Sequence, residues 1–454
     1  MAKTHWQRRA GSIFLAAALA LPSAAQQPKL TLQQAVAAAL QNSPAEKLAA
    51  AGVQAAEVRF RLARTPLFPQ IAFTESITGG NDPVYAFGTK LRQQVFSNSD
   101  FSLNNLNRPS PIPNFSTSFS GRWTAFDSRQ TRFQVRRALL LKQSAEVSGS
   151  RTSQETIYRT VSAYESVLIA WREAEVARHS VDTAQSLYEL SRNRVNAGLA
   201  VESDALSAQV NLAQRKQELI QAEGTRQTAW AELEAAVGAS LPLGPESLEE
   251  LKEHAFTTGG LAEEIAQALQ ERPDLGSLAL QTSAQKTAVR SAKWDFGPRV
   301  SVFGSWQTDR HSFAGNGGEN WMSGAELRVD LLPMGKRWQL EQEKVALLSA
   351  QAGEESARSM IRVEVSRAYF GHQAAGQMLE VARSAMAQAA ESLRILRTRY
   401  DAGLVSVTDV LRAEDADRQS QSGYWQAVYR NALSYAALRL ATGTLNTEQV
   451  VNLQ

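Results

Sequence analysis

The chain carries an internal duplication, and this repeat limits its possible folds more than any other feature of the sequence. Residues 32–44 align with residues 261–273 at an offset of 229 (261 − 32), and both segments end in proline. Farther along, residues 194–199 align with residues 399–404 at an offset of 205 (399 − 194), and both of these segments end in Gly-Leu. Because a duplicated chain builds each structural unit twice, we expect two copies of one arrangement.

The change of offset predicts an insertion in the first copy, and turn signals predict where the first copy ends and the second begins. The offset falls by 24 residues (229 − 205) within the first copy, and we assign this difference to a loop at 79–114. Pro and Gly turn signals separate the two copies. We therefore predict a first repeat at 26–240, a linker at 241–260 and a second repeat at 261–454.

The N-terminal residues have the pattern of a secretory signal peptide. Basic side chains precede an apolar run at 13–21, and small residues follow it, so we expect a signal peptide at 1–25 and a mature chain that begins near Gln26. The sequence contains no cysteine, which excludes disulfides and an N-terminal lipid anchor on cysteine. No later segment approaches the roughly 20 apolar residues of a membrane-spanning helix, which argues against a helical inner-membrane protein.

Each copy contains two segments in which apolar and polar residues alternate, and this period of two indicates β-strands. Around Trp321, apolar side chains share one face while Glu326, Arg328 and Asp330 share the other. The strands are predicted near 71–78, 115–125, 300–308 and 321–331. Their length of about ten residues suits strands that cross a bilayer at a tilt, with Trp123, Trp306 and Trp321 in an interfacial aromatic girdle. A small soluble sheet with one buried face fits the same pattern.

Four strands are too few to cross a membrane alone. An open sheet edge in lipid would leave backbone N–H and C=O groups unpaired, so a membrane-spanning form must self-associate. Known transmembrane barrels start at about eight strands, and three copies of this chain would supply twelve (3 × 4).

Two long proline-free stretches, 114–241 and 334–454, are rich in Ala, Leu, Gln, Glu and Arg and predict helices. A single helix over 133–196 would reach about 96 Å at a rise of about 1.5 Å per residue, which is too long for an ordinary globular domain. A dimeric coiled-coil rod would contain similar helices, but it does not explain the strands within each repeat.

The helical pattern breaks at Gly198 and Gly403 and then resumes, which predicts two helical hairpins. Glycine suits the left-handed residue that ends a helix. We expect the returning helices to begin after Ser203 and Asp204 in the first copy, and after Thr408 and Asp409 in the second. These side chains would accept hydrogen bonds from free N–H groups of the first helical turn.

The order in which these motifs follow one another resembles that of the TolC-like outer-membrane factor family. The resemblance rests on the Leu-Thr-Leu-x-x-Ala-Val pattern at 30–36, the tandem repeats, and the Gly-Leu-x-x-x-(Ser/Thr)-Asp segments at the two hairpins. It implies a mixed α+β membrane protein, a homotrimer in which a 12-stranded outer-membrane β-barrel continues into a 12-helix periplasmic α-barrel. Such a duct passively conducts substrates from a periplasmic adaptor and an inner-membrane transporter, either in a tripartite efflux pump or in type I secretion.

The resemblance also assigns roles to hairpin residues. It implies that the two tips bind the adaptor through Gly198, Leu199, Ser203, Gly403, Leu404 and Thr408. It implies a periplasmic gate formed by Asp204, Tyr400, Asp409 and Arg412. Two positions depart from the family pattern, because Val405 replaces an arginine and Arg412 replaces an aspartate.

The gate residues lead to two expectations. A threefold ring of Asp409 would favour cations while Arg412 opposes them, so selectivity should be modest. We further hypothesise that Asp204 and Tyr400 on neighbouring hairpins share a hydrogen bond that keeps the tube closed.

Enzymatic function is not expected. His179, His254, His311 and His372 are scattered, and the sequence lacks a phosphate loop and a Gly-x-Ser-x-Gly nucleophile motif. We therefore predict no catalytic residues, no metal site and no cofactor, and the net charge of +3 gives no reason to expect a nucleic-acid partner. The alternative function is a periplasmic coiled-coil scaffold or adaptor that never enters the membrane.

Overall fold

The computed structural model of the protein describes residues 29–241, 244 and 248–451. The predicted signal peptide lies outside the described residues. The helices are α1 (Leu32–Asn42), α2 (Pro44–Ala63), α3 (Pro83–Arg92), α4 (Leu103–Asn107), α5 (Gln130–Asn196), α6 (Glu202–Val237), α7 (Leu261–Glu271), α8 (Pro273–Trp294), α9 (Met334–Asp401), α10 (Val407–Ala441) and α11 (Thr447–Val451). The strands are β1 (Gln70–Gly80), β2 (Ile112–Phe126), β3 (Arg299–Arg310) and β4 (Gly317–Arg328).

The two halves of the chain repeat the same order of elements. In each half, a short helix and a proline-started helix precede two strands, and two long helices follow. Helices α1 and α7 both contain 11 residues and begin 229 residues apart, at Leu32 and Leu261. Helices α6 and α10 begin 205 residues apart, at Glu202 and Val407. Both offsets equal those found in the sequence, so each sequence repeat corresponds to a repeated structural unit.

Helices α5 and α9 contain 67 and 68 residues, which corresponds to about 100 Å each. The single long helix predicted over 133–196 is confirmed, and it begins three residues earlier, at Gln130. Helices α6 and α10 return along α5 and α9 to form two hairpins. The predicted mixed α+β architecture of four strands and very long helices is confirmed.

Shorter helices continue the two returning helices toward the sheet. Helix α6 ends at Val237, and a Cβ added to the next residue, Gly238, would lie 2.9 Å from the carbonyl oxygen of Asn42, just before α2 begins. Gly443 follows α10 and has the same relation to Arg272, the residue before α8. Each half therefore has two helical columns: one continuous helix, and one column of two helices that meet end to end.

The four strands form one antiparallel sheet in the order β1-β2-β3-β4. The predicted strand pairs are confirmed, with two corrections. Strand β4 ends at Arg328, so Val329, Asp330 and Leu331 lie outside it. The reason is that Arg328 pairs with Arg299, the first residue of β3, and Pro298 before it has no N–H to extend the ladder. In addition, the predicted loop at 79–114 contains α3 and α4.

The main apolar core lies where α1 packs against the middle of α5, the end of α6 and the short helix α11. Leu32, Val161, Val167, Leu233 and Val237 are fully buried there. Nearby, the hydroxyl of Tyr164 donates to the carbonyl oxygen of Leu30 at 2.8 Å, which joins the start of the described chain to α5. This core joins the two hairpins at a level between their tips and the sheet.

Candidate functional site

The two faces of the sheet differ in character. One row of cross-strand neighbours runs across all four strands through Phe73, Phe119, Trp306 and Trp321. The Phe73 and Phe119 ring centroids lie 5.1 Å apart, and those of Phe119 and Trp306 lie 6.1 Å apart. All four side chains are exposed, and Trp321 retains 79% of its accessible surface. We call these four residues the aromatic row.

Polar and apolar side chains flank the aromatic row on its two sides. Away from the helices, Arg310 forms a 3.2 Å ion pair with Glu75 and contacts the Thr117 hydroxyl at 2.5 Å. Toward the helices, the same face carries Val302 and Leu327, both exposed. An exposed apolar band bounded by aromatic rings and then by charged groups is typical of a surface in contact with lipid.

The three tryptophans predicted for the girdle do not lie in one row. Trp306 and Trp321 are cross-strand partners, but Trp123 pairs with Val302, four residues nearer the helices, and its indole N–H donates to the carbonyl oxygen of Leu67 at 3.2 Å. The sequence pattern did not predict that Phe73 and Phe119 lie beside the two tryptophans, because only the register of the strands aligns them.

The opposite face of the sheet is polar. Ser116, Ser118, Gln307 and Asp309 lie on it in adjacent cross-strand positions. Gln307 donates from Nε2 to Ser116 Oγ at 3.0 Å and to Asp309 Oδ2 at 2.8 Å. The sheet therefore has one face suited to lipid and one suited to water.

The helical hairpins turn at the two predicted glycines. Gly198 and Gly403 have φ angles of 72° and 75°, in the left-handed region. The next residues, Leu199 and Leu404, each donate their N–H to a carbonyl oxygen five residues earlier, at 2.9 Å, which completes a Schellman motif at each tip. The side chains of both leucines are exposed. Each tip thus presents an exposed leucine side chain to the solvent.

The returning helices begin earlier than predicted. Helix α6 begins at Glu202 after Val201, with no side-chain cap, so Ser203 and Asp204 already lie in its first turn. Helix α10 begins at Val407, so Thr408 also lies within the helix. The cap is Ser406, whose Oγ accepts from the Asp409 N–H at 3.3 Å, while the Asp409 carboxylate accepts from the Ser406 N–H at 3.1 Å and from Ser406 Oγ at 2.7 Å. A capping box pairs the residue before the helix with the third helical residue, here Ser406 with Asp409. Helix α10 therefore begins directly after Ser406 and not after Asp409.

The hydrogen bonds to Ser406 also keep the pKa of the Asp409 carboxyl below its usual value. Asp409 is half-buried, while Arg412 one turn later is exposed. Val405 packs beside the small apolar cluster of the tips. The ionised carboxylate required by the predicted gate is therefore favoured locally.

Tyr400 joins the two hairpins. Its side chain is buried, and its hydroxyl shares a hydrogen bond with Ser191 Oγ on α5 at 3.2 Å. The Arg194 guanidinium stacks over the ring at 4.3 Å and donates to the carbonyl oxygen of Asp401 at 2.9 Å. Within the described chain, Tyr400 forms no hydrogen bond with Asp204. The hydrogen bond predicted between neighbouring hairpins is thus not formed by the two hairpins of one chain, and it stays a prediction for hairpins of different copies.

A second link between the hairpins was not found from the sequence. Arg215 on α6 is buried, and its guanidinium pairs with Glu218 on the same helix and with Asp415 on α10, each at 2.8 Å. The sequence contains many Arg and Glu residues at helical spacing, so nothing there distinguishes this buried pair from solvated ones.

No helix among residues 29–241 and 248–451 contains a segment that is both long and apolar enough to cross a membrane.

Comparisons with known proteins agree with this fold. The outer membrane efflux protein family matches residues 35–239 and 265–444, which is most of the chain. Protein CyaE of Bordetella pertussis is 24% identical over 432 residues, covering 92% of this chain and 83% of that protein. The alkaline protease secretion protein AprF of Pseudomonas aeruginosa is 24% identical over 307 residues, covering 65% of this chain and 62% of that protein.

Solved structures share the fold. The crystal structure of the Campylobacter jejuni CmeC outer membrane channel superposes with a TM-score of 0.75 at 17% identity, covering 92% of this chain and 88% of that one. The match of the family to both halves, together with this shared fold, leads to one conclusion. The chain belongs to the outer membrane efflux protein family.

Proposed function

We propose that three copies of this chain form a passive outer-membrane duct that serves a tripartite efflux pump or a type I secretion system. The observation that carries this proposal is the two-faced sheet, which has an exposed apolar band on one face and a Ser- and Gln-rich opposite face. Its outer strands, β1 and β4, each have one edge that no described strand pairs. Joining these edges between copies would satisfy the backbone groups that lipid cannot.

The helices support the same assembly. Each chain supplies four helical columns, namely α5, α9, the α2 and α6 stack and the α8 and α10 stack. Three copies supply twelve strands and twelve columns (3 × 4 of each). Many large apolar side chains along α9 are exposed in the single chain, including Val345, Leu348, Met360 and Phe370. Such a surface requires a partner, and a neighbouring copy would cover it.

The hairpin tips are proposed to contact the periplasmic adaptor. Leu199 and Leu404 project from the Schellman turns at the end of the molecule farthest from the sheet. Because the family belongs to the outer membrane, the sheet lies in that membrane and the tips point toward the inner one. The adaptor would in turn connect the duct to an inner-membrane transporter. We propose no catalytic role for the chain.

The proposal is tested with the mature protein expressed in a Gram-negative host. We expect it to stay in the membrane after a carbonate wash, to have the mass of three chains in detergent, and to give ion channels in planar lipid bilayers. Release by the wash, together with a lack of channels, would favour the periplasmic scaffold and contradict the duct. A monomeric protein with no strand signal in circular dichroism would contradict it as well.

A further inference from the structure

The insertion between β1 and β2, residues 81–111, is a folded unit. Asp82 caps α3 by accepting from the Tyr85 N–H at 2.8 Å. Asp100 accepts from Lys90 at 2.5 Å and from the Ser97 N–H at 2.8 Å, and these bonds lower its pKa to about 2. The Phe96 ring packs between those of Phe87 and Phe101, with centroid distances of 4.7 Å and 5.2 Å, respectively. The unit therefore holds its shape by contacts of its own.

This insertion docks on the polar face of the sheet. Gln93 Nε2 donates to Asn114 Oδ1 at 2.9 Å, and Asn114 Nδ2 donates to Asp309 Oδ1 at 2.7 Å. Asn114 and Asp309 belong to the face that carries Ser116 and Gln307, and Asp309 is fully buried beneath the insertion. Burying a carboxylate costs free energy unless it is hydrogen-bonded, so this ladder fixes the position of the insertion.

Further contacts reach the far strand. Gln94 Nε2 donates to the carbonyl oxygen of Glu319 at 3.3 Å, and Asn320 Nδ2 donates to that of Arg92 at 3.1 Å. Gly318 leaves no space for a Cβ, which would lie 2.0 Å from the Arg92 carbonyl oxygen. The insertion thus extends from β2 across β3 to β4 at the end of the sheet farthest from the helices.

The outward side of α3 is apolar. Ala86 and Thr89 are buried against the sheet. At about 3.6 residues per turn, Val84 and Leu91 are seven residues apart and lie on the opposite side of the helix. They expose 80% and 49% of their surface, and Val95 just beyond the helix exposes 56%. A helix side that faced only water would normally carry polar residues.

We propose that Val84, Leu91 and Val95 from three copies of this chain meet around the axis and form an apolar collar that narrows the external mouth of the duct. This inference rests on the proposed function, because the polar face of the sheet then lines the bore. An insertion docked on that face has its outward side directed at the axis. The partner of this apolar side is then the same side of the two other copies. An apolar constriction excludes ions by expelling water, so the collar would restrict flow at the end opposite to the periplasmic entrance.

The collar is tested by the size of neutral polymers that enter the mouth. Polyethylene glycols of graded size are added to the external chamber of a planar bilayer, and their entry is read as a fall in single-channel current. We expect the double variant Val84→Ser with Leu91→Ser to admit larger polymers and to increase conductance at least twofold. Leu91→Trp should lower the size limit. An unchanged limit in both variants would overturn the collar, even if the channel forms normally.

Cross-linking tests the geometry independently. The chain has no cysteine, so Leu91→Cys introduces a single thiol. A short bismaleimide should join two of the three subunits of this variant. The matched control is Phe119→Cys, which lies on a central strand and on the other face of the sheet. Absence of cross-links at position 91 in a confirmed trimer would contradict the collar alone, whereas a monomer without channels would contradict the proposed function.

Discussion

The hydroxyl of Tyr400, at the end of α9, lies 3.2 Å from Ser191 Oγ on α5, in a buried position. The two residues belong to different halves of the duplicated chain. Their contact joins the hairpins near both tips, where the residues assigned to the gate are located. The Arg194 guanidinium stacks over the tyrosine ring. Separation of the two hairpin tips would therefore break this contact.

We expect Tyr400→Phe to favour the open state of the duct. A buried hydrogen bond contributes about 1 kcal/mol, which corresponds to a roughly fivefold change in the ratio of open to closed states. Ser191→Ala should have a similar effect, and the double variant should add little to either one. Open probability in single-channel recordings measures all three.

Combining Asp204→Asn with Tyr400→Phe tests whether Asp204 and Tyr400 form a hydrogen bond between subunits. If Asp204 binds Tyr400 of a neighbouring copy, this variant and Tyr400→Phe will be non-additive. If only the Ser191 contact restrains the tip, their effects will add. An unchanged open probability in Tyr400→Phe would contradict any role of this hydroxyl in closure.

The sequence was sufficient to predict features that depend on local pattern. Alternation located the four strands, the absence of proline located α5 and α9, and Gly198 and Gly403 located the turns, since each signal lies within a few neighbouring residues. The aromatic row could not be predicted, because the alignment of Phe73 with Trp321 depends on three registers between strands. Hydrogen bonds across the sheet fix these registers, and they are not encoded in any one segment.

The insertion and the buried arginine escaped prediction for a related reason. Residues 79–114 are rich in Gly, Pro, Asn and Ser, which favours loops, but the hydrogen bond from Gln93 to Asn114, which in turn donates to Asp309, stabilises α3. Arg215 is distinguished from other arginines only by Asp415, which lies 200 residues away in sequence (415 − 215). Contacts between distant residues determine both features, so local propensity was a poor guide.

Substitutions at two adjacent residues of β4 should separate the two faces of the sheet. Trp321 and Met322 are both apolar and exposed, but they point to opposite faces. Trp321→Arg places a charge on the face assigned to lipid and should cost roughly 1–3 kcal/mol per chain. Met322→Arg places it on the face assigned to water and should cost little. The fraction of protein that remains in carbonate-washed membranes measures the difference, and equal losses would contradict the assignment.

The glycines that end the long helices should differ in their tolerance of alanine. Gly198 and Gly403 have positive φ angles but open surroundings, so Gly→Ala should cost about 1 kcal/mol from the backbone alone. Gly238 and Gly443 also have positive φ angles, and a Cβ would approach backbone atoms within 3 Å, so the loss there should be clearly greater. Thermal unfolding at fixed protein concentration would test this order.

Gly353→Ala provides the matched control for these four substitutions. This glycine lies within α9 and has open space around it, so alanine should raise the melting temperature slightly. A uniform loss at Gly198, Gly238, Gly403 and Gly443 would show that the end-to-end helix contacts do not constrain the chain.

Glu165 on α5 is a carboxylic acid buried within the helical region. It is 3% exposed, and its Oε2 atom forms no hydrogen bond with the described residues. Burial raises its pKa from the usual 4.5 to about 8. The folded protein therefore keeps a proton on Glu165 at neutral pH, while the unfolded chain has lost it.

This difference predicts how stability changes with pH. Between pH 4.5 and 8 the folded state binds the extra proton, so the contribution of Glu165 to the free energy of unfolding falls by about 1.4 kcal/mol per pH unit and levels off above pH 8. Glu165→Gln removes this slope, so its stability relative to the unsubstituted protein should rise across the same range. Glu155→Gln, at an exposed ion-paired position of α5, should change stability far less. Urea unfolding at fixed protein concentration and several pH values provides the measurement. A pH-independent difference between Glu165→Gln and the unsubstituted protein would mean that Glu165 ionises normally in the assembled duct.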